Sequence, residues 1–319
     1  MRNIFLATNW IAFCFLIFTT LQAEEGKPGE SMVRFVEEQG SVRVRIGEQE
    51  VAKYVYNDPA VGRPYWCDVR TMSGIPVTRN HPPVKGVDLD DHVGLHTGIW
   101  VSFGDLSGND YWRLKAKTRH EKFAVSPREG EKESRFVVVN HYLSSDGSEA
   151  IASEINEFRI VVLSDDDYLL DWKSRFEPVN ESIYFGDQEE MGLGIRVAKP
   201  LVVDSKQGGR MLDSEGRLNG KAIWGKTASW CDYAGPSDGK WVGLTVLASA
   251  DNFRPCWCHA RDYGFLALNP FGRKAFTQGE VSKVEVKKGE QLQLRYGILV
   301  HQEDNEKEFR IDEAQKYFK

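Results

Sequence analysis

The feature that most constrains this chain is an alternation of apolar and charged residues that recurs at hairpin spacing. In Ser41–Ile46, Val42, Val44 and Ile46 point one way and Arg43 and Arg45 the other. Gln291–Val300 repeats the pattern with Leu292, Leu294, Tyr296, Ile298 and Val300. A period of two marks a strand with one face in a core. Further β-rich runs are Met32–Val36, Val51–Tyr56, Phe136–Leu143, Glu157–Leu163, Tyr168–Phe176, Trp241–Ala248, Gly264–Leu268 and Val281–Val286. Turn residues such as Asn57-Asp58-Pro59, Ser145-Asp146-Gly147 and Ser237-Asp238-Gly239 punctuate them. Only Glu306–Phe318 reads as helical. Strands and helices do not alternate, which argues against a parallel βαβ fold. The expected fold is all-β: a large antiparallel β-sandwich with a short C-terminal helix. No linker or internal repeat divides residues 24–319, so one sandwich domain is expected there.

Residues 1–23 read as a secretory signal peptide. Arg2 precedes the apolar run Ile4–Phe18, and Leu21-Gln22-Ala23 offers a cleavage point. A retained anchor is the alternative. No other apolar run reaches the roughly 20 residues that span a bilayer. The expected location is periplasmic or secreted, with no transmembrane domain once the signal is removed. Lys and Arg number 41 against 47 Asp and Glu, giving −6, which argues against a nucleic-acid partner. The chain carries 9 Trp, 11 Tyr and 17 Phe, a wealth that suits a β core and equally the stacking of rings on sugar faces. Beyond Cys14, the cysteines are Cys67, Cys231, Cys256 and Cys258. In an oxidising compartment an even number permits two disulfides, with the pairing open. Buried or bridged cysteines are favoured over a zinc site, because Cys256-Trp257-Cys258 lacks the usual two-residue spacer.

Three stretches, Arg63–Asn80, Asp90–His120 and Trp224–Gly272, alternate poorly and hold most of the Trp, His, Gly and Pro. They are expected to form long loops and strand ends that gather over one face, where binding sites form. The densest chemistry is Asp90-Asp91-His92-Val93-Gly94-Leu95-His96. On a helix, two histidines four apart share a face, although Gly94 and Gly98 disfavour one here. Two uses compete with a plain hydrogen-bonded pair. His92 and His96, joined by His259, would ligate a divalent metal. With His120 and His259 they would serve as acids and bases, since imidazole titrates near neutral pH. Asp105 and Glu190 are the accompanying acid or orienting groups. Trp100, Trp112, Trp230 and Trp257 are expected to stack on a substrate, with Asp110, Asp232, Arg113, Arg196 and Arg261 binding its polar groups. Asp232, flanked by aromatics, also has the setting of a carboxyl with a raised pKa. His81, His141 and His301 read as structural. No G-x-S-x-G, Walker A, helix-opening G-x-G-x-x-G or H-E-x-x-H occurs.

Several motifs together resemble the bacterial PmoA-like family, named after a methane oxygenase. They are Arg63-Pro64-Tyr65-Trp66, Ser73-Gly74-Ile75-Pro76-Val77-Thr78-Arg79, the His92/His96 segment with Gly98-Ile99-Trp100, and Asn109-Asp110-Tyr111-Trp112. Further along come Gly192-Leu193-Gly194-Ile195-Arg196, Trp224-Gly225-Lys226, Trp230 to Pro236, and Arg261-Asp262-Tyr263-Gly264 with Asn269-Pro270-Phe271-Gly272. The resemblance runs in order from Arg63 to His301. Other members carry His-Pro-His-His-Arg-Gly where this chain reads His92-Val93-Gly94-Leu95-His96-Thr97-Gly98, so one His and an Arg are missing. The resemblance implies a supersandwich similar to galactose mutarotase, in an exported protein of glycan-degrading bacteria. The leading expectation is an exported carbohydrate-active lyase, hydrolase or epimerase acting on a sugar or glycan fragment. A non-catalytic glycan-binding module and a metal-dependent oxygenase are the alternatives.

Overall fold

A computed structural model describes residues 32–318, so the expected signal peptide lies outside the described residues. Two eight-stranded sheets, antiparallel throughout, make up the body. The first runs in the order β1 (Val33–Glu38), β2 (Ser41–Ile46), β3 (Gln49–Val55), β4 (Tyr65–Cys67), β5 (Ile99–Phe103), β11 (Met191–Arg196), β16 (Phe265–Asn269) and β15 (Trp257–Arg261). The second runs β12 (Arg210–Asp213), β13 (Trp230–Ser237), β14 (Lys240–Ala248), β18 (Leu292–Glu303), β9 (Tyr168–Pro178), β8 (Ala150–Val162), β7 (Glu133–Leu143) and β6 (Thr118–Val125). A two-stranded ribbon pairs β10 (Ile183–Phe185) with β17 (Val284–Val286). Helices are short: α1 (Asn219–Ile223), α2 (Arg273–Thr277) and α3 (Asp312–Phe318). The all-β sandwich and its C-terminal helix match the pattern of the sequence. Among the described residues no helix is long and apolar enough to cross a membrane.

The alternating strands lie as their period requires. Val42, Val44 and Ile46 join Leu294, Tyr296 and Ile298 in one core shared by both sheets. Tyr54 and Trp66 of the first sheet meet Phe158 of the second at 4.8 and 5.2 Å between ring centres. Offset and edge contacts of this kind suit the aromatic quadrupole. The stretches expected as long loops and strand ends also contribute a central strand that was not read as one, β5, which pairs with β11. Every residue of β5 and β11 is buried. A strand covered on both faces has no polar side to alternate with, so its period is invisible in sequence. Gly98 lets β5 start beside β4, since at φ +128° a Cβ would lie 2.3 Å from the Trp66 carbonyl oxygen. Cys67, Cys231, Cys256 and Cys258 are buried free thiols rather than two bridges.

Each sheet also buries part of its outer face. On the second, Val161, Leu169, Leu247 and Leu299 are covered by Ala314 and Phe318 of α3. Beside them lies a buried polar group. His301 places Nε2 3.0 Å from Asp232 Oδ1 and Nδ1 2.9 Å from Glu303 Oε2. Thr245 donates to the same Asp232 oxygen, and the Phe309 ring packs 4.8 Å from the imidazole. Burial alone would lower the His301 pKa, but the Asp232 and Glu303 carboxylates outweigh it and push it up to about 10. On the first sheet, the outer face carries Trp100, Phe265 and Ala267, covered by Trp112 from the segment after β5.

Candidate functional site

The outer face of β5, β11, β16 and β15 holds the densest functional groups. Arg196 ends β11, fully buried, and its guanidinium forks onto Asp91: Nη2 to Oδ1 at 2.5 Å and Nη1 to Oδ2 at 3.0 Å. Arg196 Nη1 also lies 3.3 Å from His96 Nδ1. A guanidinium only donates, so His96 Nδ1 accepts and the His96 proton sits on Nε2. Arg79, also buried, donates to the carbonyls of Leu89, Asp91 and His96 and so holds the loop from beneath.

The 91–96 loop makes a single helical turn despite its glycines, with the His96 N–H donating to the His92 carbonyl at 3.0 Å. That turn stacks the two imidazoles at 4.6 Å with planes 10° apart. His92 takes φ +51°, a left-handed value that histidine tolerates better than most residues. Its Nδ1 lies 2.7 Å from Asp91 Oδ2, so the proton there is donated to the carboxylate and, in the neutral ring, Nε2 is the nitrogen left free. Burial works against the Asp91 charge, but the bonds from His92 and Arg196 hold its pKa down at about 2. His92 is exposed, with 46% of its side chain accessible. Its ring continues the stack onto Tyr263 at 5.9 Å. His96 lies under this shelf against Phe265 and Trp100, at 4.7 and 5.2 Å. Burial, then Arg196, pushes the His96 pKa down to about 2, so it stays neutral.

Phe265 links this stack to His259, whose ring meets its edge at 4.9 Å. His259 Nδ1 donates to the Glu189 carbonyl at 3.1 Å, which fixes the tautomer. Its bare Nε2 therefore faces Glu189 Oε2 at 3.3 Å. Burial, then Arg261, pushes the His259 pKa down to about 3. Arg261 donates to the same Glu189 oxygen at 3.1 Å. Arg113 bonds Glu190 at 2.6 Å, and Asp110 and Gln188 at 3.2 and 3.1 Å. Trp257 extends the same face, its ring stacked near Phe276 at 6.4 Å.

The structure thus draws together His92, His96, His259, Glu190, Arg113, Arg196, Arg261 and Trp257, and separates others that the sequence grouped with them. His120 sits on β6 of the second sheet, packed on Tyr56 at 4.4 Å. Asp232 and Trp230 lie on β13, also in the second sheet; Asp232 is the buried partner of His301, and Trp230 packs toward Phe309. Trp100 and Trp112 are buried and form the floor rather than a stacking face. Arg196 is spent on Asp91. Asp105 accepts the Gly108 N–H and closes a turn, and Asp110 accepts the Arg113 N–H in the same way. Asp91, Glu189, Tyr263 and Arg79 complete the site. Asp91 lies in the acid–histidine run that the sequence marked, and Arg79 and Tyr263 lie in motifs of the family resemblance, but none of the four was among the named site residues.

The expected metal set does not fit a cation. His92 and His96 lie face to face, so their nitrogens do not converge, and a guanidinium occupies Nδ1 of His96. Among the described residues no three His, Cys, Asp or Glu side chains form a metal-binding group.

No curated protein matches this chain. Solved structures similar to it include the α-galactosidase from Lactobacillus brevis, at TM-score 0.41 and 7% identity over 86% of this chain and 40% of that one. This chain therefore spans less than half the length of that protein. Another is a galactose mutarotase-like protein from Lactobacillus casei ATCC 334, at TM-score 0.35 and 11% identity over 84% of this chain and 100% of that one. The sequence match is to a family of unknown function: over residues 41–318, the chain belongs to the family DUF6807.

Proposed function

We propose that this chain is an exported carbohydrate-active enzyme that moves a proton on a sugar or glycan fragment, as a lyase, hydrolase or epimerase. The observation that carries the reading is the Asp91–His92 pair at the exposed end of an aromatic shelf. Asp91, clamped by Arg196, fixes the His92 tautomer and leaves Nε2 bare and exposed. That is the arrangement of an oriented general base. A pyranose presents C–H faces and a row of hydroxyl donors. The site presents the Tyr263 and His92 rings for the faces, and His259 Nε2 and Glu189 Oε2 as neighbouring acceptors, each able to take one hydroxyl. Arg113 and Arg261 offer donors at the rim.

In this reading His92 Nε2 takes the proton from a sugar carbon or from an attacking hydroxyl or water. Glu189 and His259 orient the hydroxyl beside it, and Arg261 and Arg113 hold negative charge as it develops. The apolar leader at Ile4–Phe18 supports export. The oxygenase implied by the PmoA-like resemblance is not adopted, because the stacked histidines and the Arg196 cation do not suit a metal.

The test is turnover across a panel of glycans and sugar fragments with His92→Ala. Loss of a general base costs roughly 10²–10⁴ in rate. His92 takes φ +51° and bonds Asp91, so Tm is measured beside turnover, and the loss reads as chemistry where the variant's fold is retained. Full turnover in His92→Ala refutes the assignment. Binding without product in the wild type, unchanged by His92→Ala, makes the chain a glycan-binding module instead.

A further inference from the structure

The outer face of the β15–β16 hairpin carries more than the Asp91–His92 pair uses. On β15, Trp257, His259 and Arg261 alternate with Cys258 and Ala260, which enter the core. The three therefore share the outer face. His259 is buried, whereas Trp257 and Arg261 are half-buried. The Arg261 guanidinium, bonded to Glu189, also lies over the Trp224 ring at 5.7 Å. Trp224, just after α1, is half-buried too. It meets Phe276 of α2 edge-on at 5.5 Å, and Phe276 reaches His259 at 5.8 Å and Trp257 at 6.4 Å. Phe276 is buried, so it forms a floor from which the two tryptophans stand out.

The fold has no packing use for these two rings. Among the described residues, neither joins a hydrophobic core cluster or packs against one. Nor do they shield an open sheet edge. β15 is the last strand of its sheet, but the chain after α1 already pairs with it. Gly225 N–H donates to the Cys258 carbonyl and Cys258 N–H to the Lys226 carbonyl, both at 2.8 Å. Large apolar side chains left together at the surface mark an interaction site.

The two ends of this face are alike. At the hairpin turn, half-buried Tyr263 stacks with exposed His92 at 5.9 Å. Arg261 and Glu189 follow, a donor and an acceptor for hydroxyls. Trp257 lies four residues from Arg261, roughly 13 Å along the strand, which exceeds the length of one sugar ring.

We propose that the site takes an oligosaccharide rather than a single sugar. The chain lies along β15, with one residue at Tyr263 and His92, hydroxyls at Arg261 and Glu189, and a more distant residue stacked on Trp257. A monosaccharide leaves one end of the face empty. The proposal rests on the carbohydrate reading and narrows its substrate class.

Calorimetric titration tests it with β-1,4-linked galactose, glucose and xylose series of one, two and four units. In at least one series the affinity is expected to rise about tenfold or more from one unit to four, the return on one added ring stack. Trp257→Ala removes that gain and leaves the affinity for the single sugar unchanged. Trp257→Phe keeps a ring and most of the gain, which separates a lost stack from a lost fold. Failure of every four-unit probe at millimolar concentration, affinity independent of length, or a gain that survives Trp257→Ala overturns the proposal. Equal losses for one and four units in Trp257→Ala also overturn it, because the ligand then sits on Trp257 alone. Length-dependent binding that needs Trp257, with no turnover of any probe, sinks the catalytic reading alone. Turnover that needs His92 but has the same kcat/KM for one and four units sinks this proposal alone.

Discussion

Asp232→Asn tests how the second sheet tolerates a charge in its outer layer. Asp232 and His301 are both fully buried and meet at 3.0 Å, and Glu303, 10% exposed, closes the other side of the imidazole at 2.9 Å. The two carboxylates together compensate a desolvated imidazolium. Removing one charge leaves the other partner underpaired, which costs about 3–5 kcal/mol for a buried pair. A folded chain of about 290 residues unfolds with an entropy near 0.6 kcal/mol/K, so the expected fall in Tm is about 5–8 °C. The effect has a pH signature. His301 is raised from 6.5 to about 10 in the folded state, so its contribution is fully present below pH 6.5. It is lost as pH rises through 10. The gap between wild type and Asp232→Asn, followed by calorimetry, therefore narrows from pH 6.5 to 10. A Tm shift below about 1 °C, less than 1 kcal/mol on this scale, or a gap constant across that window, refutes the charged-pair account.

Two further outcomes follow from buried groups. His96 and His259 have pKa values lowered to about 2 and 3, mainly by burial, so the unfolded chain binds more protons as pH falls below 6.5. Each then removes up to about 1.4 kcal/mol of stability per pH unit down to its folded pKa, and His96→Phe should flatten that acid slope in denaturant titrations; an unchanged slope contradicts the neutral assignment. The four core cysteines are buried free thiols, so a chain lacking residues 1–23 should release four thiols to an aromatic disulfide reagent in denaturant and none while folded. Two or fewer in denaturant would show a bridge.

The site was legible in part, and unevenly. His92 and His96 are four apart, and the turn between them is local, so their spacing allowed a shared face even though Gly94 and Gly98 argued against a helix. The clamp on Asp91 comes from Arg196, 105 residues away, and is a product of sheet order. Nothing local gives Glu189 and Tyr263 their role, because their value lies in what faces them: His259 on β15, and the His92 ring. His120, Asp232 and Trp230 went astray for the same reason. Their residue types suited a sugar site, but type does not say which sheet a strand joins. Trp100 and Trp112 read as stacking rings until the segment after β5 folded back and buried them.

The fold class needed only the sequence. Alternation at period two, frequent turns and the lack of interleaved helices are local properties of the backbone and its solvation, and they require strands with one buried face. Local physics does not order strands within sheets. β5, β11 and the β15–β16 hairpin come from widely separated stretches, and they become neighbours only because pairing them closes the core. That closure decided where every charge ended: Arg196 against Asp91, His301 between two carboxylates. A charge is cheap in water wherever it lies along the chain. Its partner and cost are set when tertiary packing removes the water.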